Sequence, residues 1–161
     1  MQVQDIAADQ ADARMVRIDP EFAARAGADA HEKRERLNGN PDDFAKSAEQ
    51  DISDRTVGDL GEIAVIQFMK DVVPEAIDEI PSAEAGESAG YDLGVGGFNV
   101  EIKTRNLARN RQQGYHYTSL LASRNEVENK RKGKDIYISV VADPENHEWA
   151  AIQGWAYYGE V

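Results

Sequence analysis

Tyr91-Asp92-Leu93-Gly94-Val95-Gly96-Gly97-Phe98-Asn99-Val100-Glu101-Ile102-Lys103 is the stretch on which the fold turns. Two alternating runs flank Gly96-Gly97, and a two-residue glycine turn between such runs signals a β-hairpin. Pairing across that turn sets Val95 against Phe98, Leu93 against Val100 and Asp92 against Glu101. Side chains alternate faces along a strand. One face therefore carries Tyr91, Leu93, Val95, Phe98, Val100 and Ile102, and the other carries Asp92, Asn99, Glu101 and Lys103. A slip of one residue would scramble both faces, so the register is well specified.

Directly opposed residues have Cβ atoms roughly 4.5–5.5 Å apart. Two carboxylates at that spacing repel, and a plain hairpin has no need of them. A divalent cation between them would convert repulsion into coordination, and Lys103 on the same face offsets their charge. The plain alternative is a solvated polar face with a lysine–carboxylate ion pair.

Working upstream, Thr56 is a candidate cap for a helix running to about Val73, with Pro74 beyond its end. Val57, Leu60, Ala64, Val65, Phe68, Met69 and Val72 give it a broad apolar face. Glu62 follows Gly61 near the start of that helix, beside the apolar side or as an exposed helix acid. Residues 81–90 read as a loop. Residues 1–50 have few large apolar residues and are expected as an N-terminal helical or partly disordered arm, with Asp19-Pro20 starting a helix that reaches about Leu37. Residues 51–161 are then the core.

Downstream, residues 104–114 look like an exposed basic loop. A helix is expected from Thr118 or Ser119 to about Lys132, then strands at Asp135–Val141 and Glu148–Gln153 separated by the turn Asp143-Pro144-Glu145-Asn146. The order helix, hairpin, helix, strand, strand gives an α/β domain around a mixed sheet.

Composition narrows the chemistry. The 161 residues contain no cysteine, which excludes disulfides, thiolate metal sites and cysteine nucleophiles. The three histidines, His31, His116 and His147, are far apart, so a metal site must rest on carboxylates and favour hard ions. No apolar run is long enough for a membrane helix, and Met1 to Gln10 is polar and acidic, unlike a secretory signal. A soluble, cytoplasmic protein is expected.

The net charge is −12, from 30 acidic and 18 basic side chains, which by itself opposes a nucleic-acid partner. The charge is unevenly placed. Residues 103–134 hold 9 basic and 2 acidic side chains, whereas residues 135–161 hold 5 acidic and none basic. The acidic remainder resembles the composition of proteins from salt-loving archaea and their viruses. A melting temperature that peaks at low salt would contradict that origin.

These residues resemble the PD-(D/E)XK nuclease superfamily over roughly residues 53–155. Gly61-Glu62 matches the family's helical glutamate, Asp92 its hairpin aspartate and Glu101-Ile102-Lys103 its E-x-K element. Gly90-Tyr91 stands where the family name places a proline. The resemblance implies a restriction-endonuclease-like mixed β-sheet flanked by helices and a magnesium- or manganese-dependent DNA endonuclease. It implies that Asp92 and Glu101 bind the metal with the Ile102 carbonyl, that Lys103 assists the attacking water, and that Glu62 binds a second metal or positions Lys103. Arg105, Arg109, Arg111, Arg124, Lys130, Arg131, Lys132 and Lys134 would then hold DNA phosphates. Tyr115 and Tyr117 are candidates for base stacking or for the core. A homodimer is compatible with this reading. A Holliday-junction-resolvase type of nuclease, a non-catalytic nucleic-acid-binding protein on the same fold and an acidic DNA mimic are the competing readings.

Overall fold

The structure is a computed structural model and describes residues 13–37, 48–81, 90–108 and 133–158. Among the described residues two α-helices, α1 (Pro20–Leu37) and α2 (Ala48–Val72), and a 3-10 turn at Pro74–Ala76 accompany six strands: β1 (Arg14–Arg17), β2 (Ile77–Glu79), β3 (Leu93–Val95), β4 (Phe98–Asn106), β5 (Ile136–Asp143) and β6 (Asn146–Tyr157). The strands form one sheet in the order β1-β6-β5-β4-β3-β2. Only β4 and β5 are parallel, and every other pair is antiparallel. The chain is thus mixed α/β, with a six-stranded mixed sheet. Among the described residues no helix is long and apolar enough to cross a membrane.

α2 lies on one face of the sheet. Val57, Leu60, Ala64 and Val65, at helical spacing, close on Leu93, Val100, Ile102, Ile138 and Val140. Burial of this apolar surface is the main favourable term holding the two layers together. Where α2 crosses β4, a Cβ on Gly61 would lie within 2.8 Å of the Thr104 Cβ and Cγ2 and would overlap its Oγ1. That crossing fixes Val100, Ile102 and Thr104 as the helix-facing residues of β4. By strand alternation Glu101, Lys103 and Arg105 face the other way.

Several sequence expectations change. α2 begins at Ala48, not at Thr56, so Thr56 is a buried interior residue of the helix. The added polar turns are supported by an Arg55–Asp51 ion pair at 3.0 Å and by the Asn106 amide donating to Ser53 Oγ at 2.9 Å. Residues 14–37 do not stand apart as an arm. β1 pairs with β6, and Val16, Ile18, Ala23 and Ala26 enter the same core as α2. The expected helix from Asp19-Pro20 is present as α1, with Asp19 Oδ1 accepting the Glu21 amide at 3.0 Å. β5 and β6 both run past their expected ends, to Asp143 and Tyr157. The helix expected near residues 118–132 and most of the loop at 81–90 lie outside the described residues, as do Tyr115 and Tyr117.

Candidate active site

The β3–β4 hairpin has the register read from the sequence: Leu93 pairs with Val100, Gly94 with Asn99 and Val95 with Phe98. Gly96 and Gly97 have φ of 57° and 81°, the positive pair a tight two-residue hairpin turn demands and glycine supplies without steric cost. The turn is tied to its neighbour: Gly97 N donates to Asp78 Oδ2 at 2.6 Å and Gly96 N to the Ala76 carbonyl at 2.8 Å.

Beyond Leu93 the ladder stops. Asp92 does not take its place as a regular partner of Glu101. Its amide donates to the Val100 carbonyl at 2.9 Å, one residue out of register, and its Oδ2 accepts the Ile102 amide at 2.7 Å. The carboxylate thus stands in for the next β3 residue along the edge of β4. Burial pushes the Asp92 carboxyl up from 3.8 to about 6, and the charge of Glu101 adds to the rise. The Ile102 amide, Lys103 and Lys134 offset part of it. The two acids are close enough to repel, as the sequence suggested, although the geometry is a side-chain substitution at a strand edge and not a cross-strand pair.

Glu101 is buried, 7% exposed, and both of its oxygens carry an ammonium. Oε1 lies 2.6 Å from Lys103 Nζ, and Oε2 lies 2.6 Å from Lys134 Nζ. The Lys134 side chain is only 9% exposed, against 26% for Lys103. Lys134 is therefore a member of the carboxylate cluster, turned inward, and not one of a row of lysines open to DNA phosphates. Arg105 is corrected in the same way. It lies inside β4, not in an exposed loop, and its burial lowers the guanidinium pKa. Arg109, Arg111, Arg124, Lys130, Arg131 and Lys132 lie outside the described residues.

Glu62 is half-buried on α2, one residue past the Gly61–Thr104 crossing. That puts it in the helix layer, whereas Glu101 and Lys103 project from the other face of β4. Among the described residues no three His, Cys, Asp or Glu side chains form a group able to hold a metal ion, so Glu62 does not join Asp92 and Glu101 in one. What the structure does bring together is Asp92, Glu101, Lys103 and Lys134.

The donor set suits a magnesium-like ion even so. Such an ion keeps several waters and is commonly held by one or two carboxylates. Ile102 turns its amide toward Asp92, past the end of β3. The carbonyl of a strand residue points to the same edge as its amide, so the Ile102 oxygen faces the gap beside Asp92. Two carboxylates and one carbonyl thus border a strand edge that β3 leaves uncovered.

Lys134 has no place in the cluster on sequence pattern alone. The visible signal is Gly133, which sits at φ 93° immediately before it. Compared with models of protein families, with curated proteins and with solved structures, the chain matches none.

Proposed function

We propose that this chain is a divalent-metal-dependent nuclease that hydrolyses DNA phosphodiester bonds, on a restriction-endonuclease-like variant of the mixed sheet. One observation carries the reading: a buried carboxylate, Glu101, and a half-buried one, Asp92, lie together beyond the end of β3 with Lys103 beside them. Burial and the charge of Glu101 hold the Asp92 carboxyl up even with lysines beside it, and a carboxyl perturbed in this way is characteristic of sites that do chemistry. The helix, hairpin and E-x-K strand follow the order that the family resemblance implies.

Asp92, Glu101 and the Ile102 carbonyl would hold the ion. When bound, it would polarise the scissile phosphate and lower the pKa of an attacking water. Protonated Lys103 has no lone pair for the ion, so its part is electrostatic. Its ammonium, anchored on Glu101 and a quarter exposed, donates hydrogen bonds to the phosphate oxygen on which charge builds and orients the water. Lys103 and Arg105 alternate with the helix-facing residues of β4, on the same face as Glu101, so a cation stands beside the carboxylates despite the net charge of −12.

Digestion of supercoiled plasmid with magnesium, against the same reaction with EDTA, tests the reading. Nicked or linear product only with the metal supports it. Intact plasmid at every magnesium and manganese concentration removes it.

A further inference from the structure

Lys134 is delivered to Glu101 by a built device, and the nuclease reading does not call for it. Gly133 turns the chain in a left-handed conformation at φ 93°, where a Cβ would lie 3.6 Å from Asn99 Nδ2. The next residue but one is clamped in both directions to the hairpin. Asp135 N donates to the Asn99 carbonyl at 2.8 Å, and Asn99 N donates to Asp135 Oδ2 at 2.9 Å. Between turn and clamp, Lys134 has little freedom, and its ammonium reaches Glu101 Oε2 at 2.6 Å with the side chain 9% exposed. Holding a long lysine side chain in one place costs rotamer entropy. A lysine whose task was to meet solvent or DNA would not be held this way.

The geometry points to Lys134 as a positioning residue that holds Glu101 independently of Lys103. Without it, Lys103 would be the sole cation on this buried carboxylate among the described residues. Without the ion, any movement of Lys103 away from Oε1 would then leave that charge uncompensated, a costly state, and with the ion Lys103 alone would have to keep the carboxylate oriented. With Lys134 on Oε2, Oε1 and Lys103 are both released for the reaction while Glu101 keeps its charge and orientation. The cluster therefore has a division of labour: the more exposed lysine serves the substrate, and the less exposed one serves the carboxylate.

The inference rests on the nuclease reading for its kinetic arm only. The test compares wild type, Lys134→Met and Lys134→Arg in full-length protein. Loss of an outer partner of a ligating group costs about 10- to 100-fold in activity, so kcat should fall by that much in Lys134→Met while KM for DNA holds. Lys134→Arg should recover most of the loss. The log–log salt slope of DNA affinity, measured in EDTA, should not change, whereas a lysine that neutralised a phosphate would flatten it by about 0.9 on removal. A metal-free unfolding cycle of Lys134→Met with Glu101→Gln provides the readout that does not depend on activity. The double variant's unfolding constant should depart from the product of the single effects by about threefold or more. A flattened slope with raised KM, or unchanged kcat, overturns the inference. If wild type proves inactive, the nuclease reading falls, and the cycle decides alone: additive effects overturn the positioning role, and coupling upholds it.

Discussion

Gly61 of α2 rests against Thr104 of β4 so closely that no β-carbon fits between them. That contact sets the height of the helix over the strand that carries Glu101 and Lys103. Gly61→Ala should destabilise the fold by about 1–3 kcal/mol through overpacking, more than the gain of about 1 kcal/mol that alanine brings to a helix interior. Gly58 is the internal control. A Cβ there has nothing within 4 Å, so Gly58→Ala should be neutral or stabilising. Urea unfolding of both variants checks the pair. Equal effects of the two substitutions would contradict the close crossing.

The pH dependence of stability should report Asp92. Its folded pKa, about 6, lies above the ordinary 3.8, so the folded state binds the proton more tightly. Between these values the native protein holds more protons than the unfolded one, and stability falls as pH rises. The contribution is complete below about pH 4 and lost above about pH 6. It amounts to something on the order of 3 kcal/mol. Asp92→Asn keeps an oxygen for the Ile102 amide and removes the charge. Its stability relative to wild type should therefore be greater at pH 7 than at pH 4. A difference independent of pH would contradict the buried, repelled carboxyl.

The hairpin was legible because glycine at both turn positions and strict alternation leave one register. The Asp92–Glu101 proximity followed from it. What the pattern does not contain is the break after Leu93, where a side chain replaces a backbone partner. β1 escaped notice because Arg-Met-Val-Arg has only two apolar residues, and β2 because Ile-Asp-Glu is a three-residue acidic edge. The first turns of α2 are polar and stabilised by Asp51–Arg55 and by the Asn106–Ser53 hydrogen bond, which no periodicity reveals. Lys134 looked like one more surface cation. Its role depends on the parallel register that sets Val100 beside Ile136, a long-range pairing that local sequence does not encode.

Lys103→Ala should reduce kcat by about 100-fold or more, the usual loss for a donor aimed at developing charge. It should leave magnesium binding measurable by calorimetry, since a protonated amine is not a ligand. Loss of metal binding with a retained cleavage rate would reverse the assigned roles.

Arg105 and the arginines that follow it should separate. Arg105 is buried in β4, so Arg105→Gln should lower the melting temperature and leave the salt slope of DNA binding unchanged. Replacing both Arg109 and Arg111 by Gln should reduce the slope by roughly 2, about 0.9 for each phosphate no longer neutralised. Fluorescence anisotropy over a salt series, with calcium in place of magnesium, reads both. A slope change from Arg105→Gln alone would mean that its guanidinium reaches DNA.

Whether Asp92 and Glu101 form a metal-dependent phosphodiesterase site is decided by plasmid cleavage with Asp92→Asn and Glu101→Gln beside wild type, each shown to be folded by circular dichroism. Wild type should nick the plasmid only with magnesium, and neither variant should nick it. Magnesium-dependent nicking by folded Asp92→Asn at the wild-type rate would contradict the site assignment.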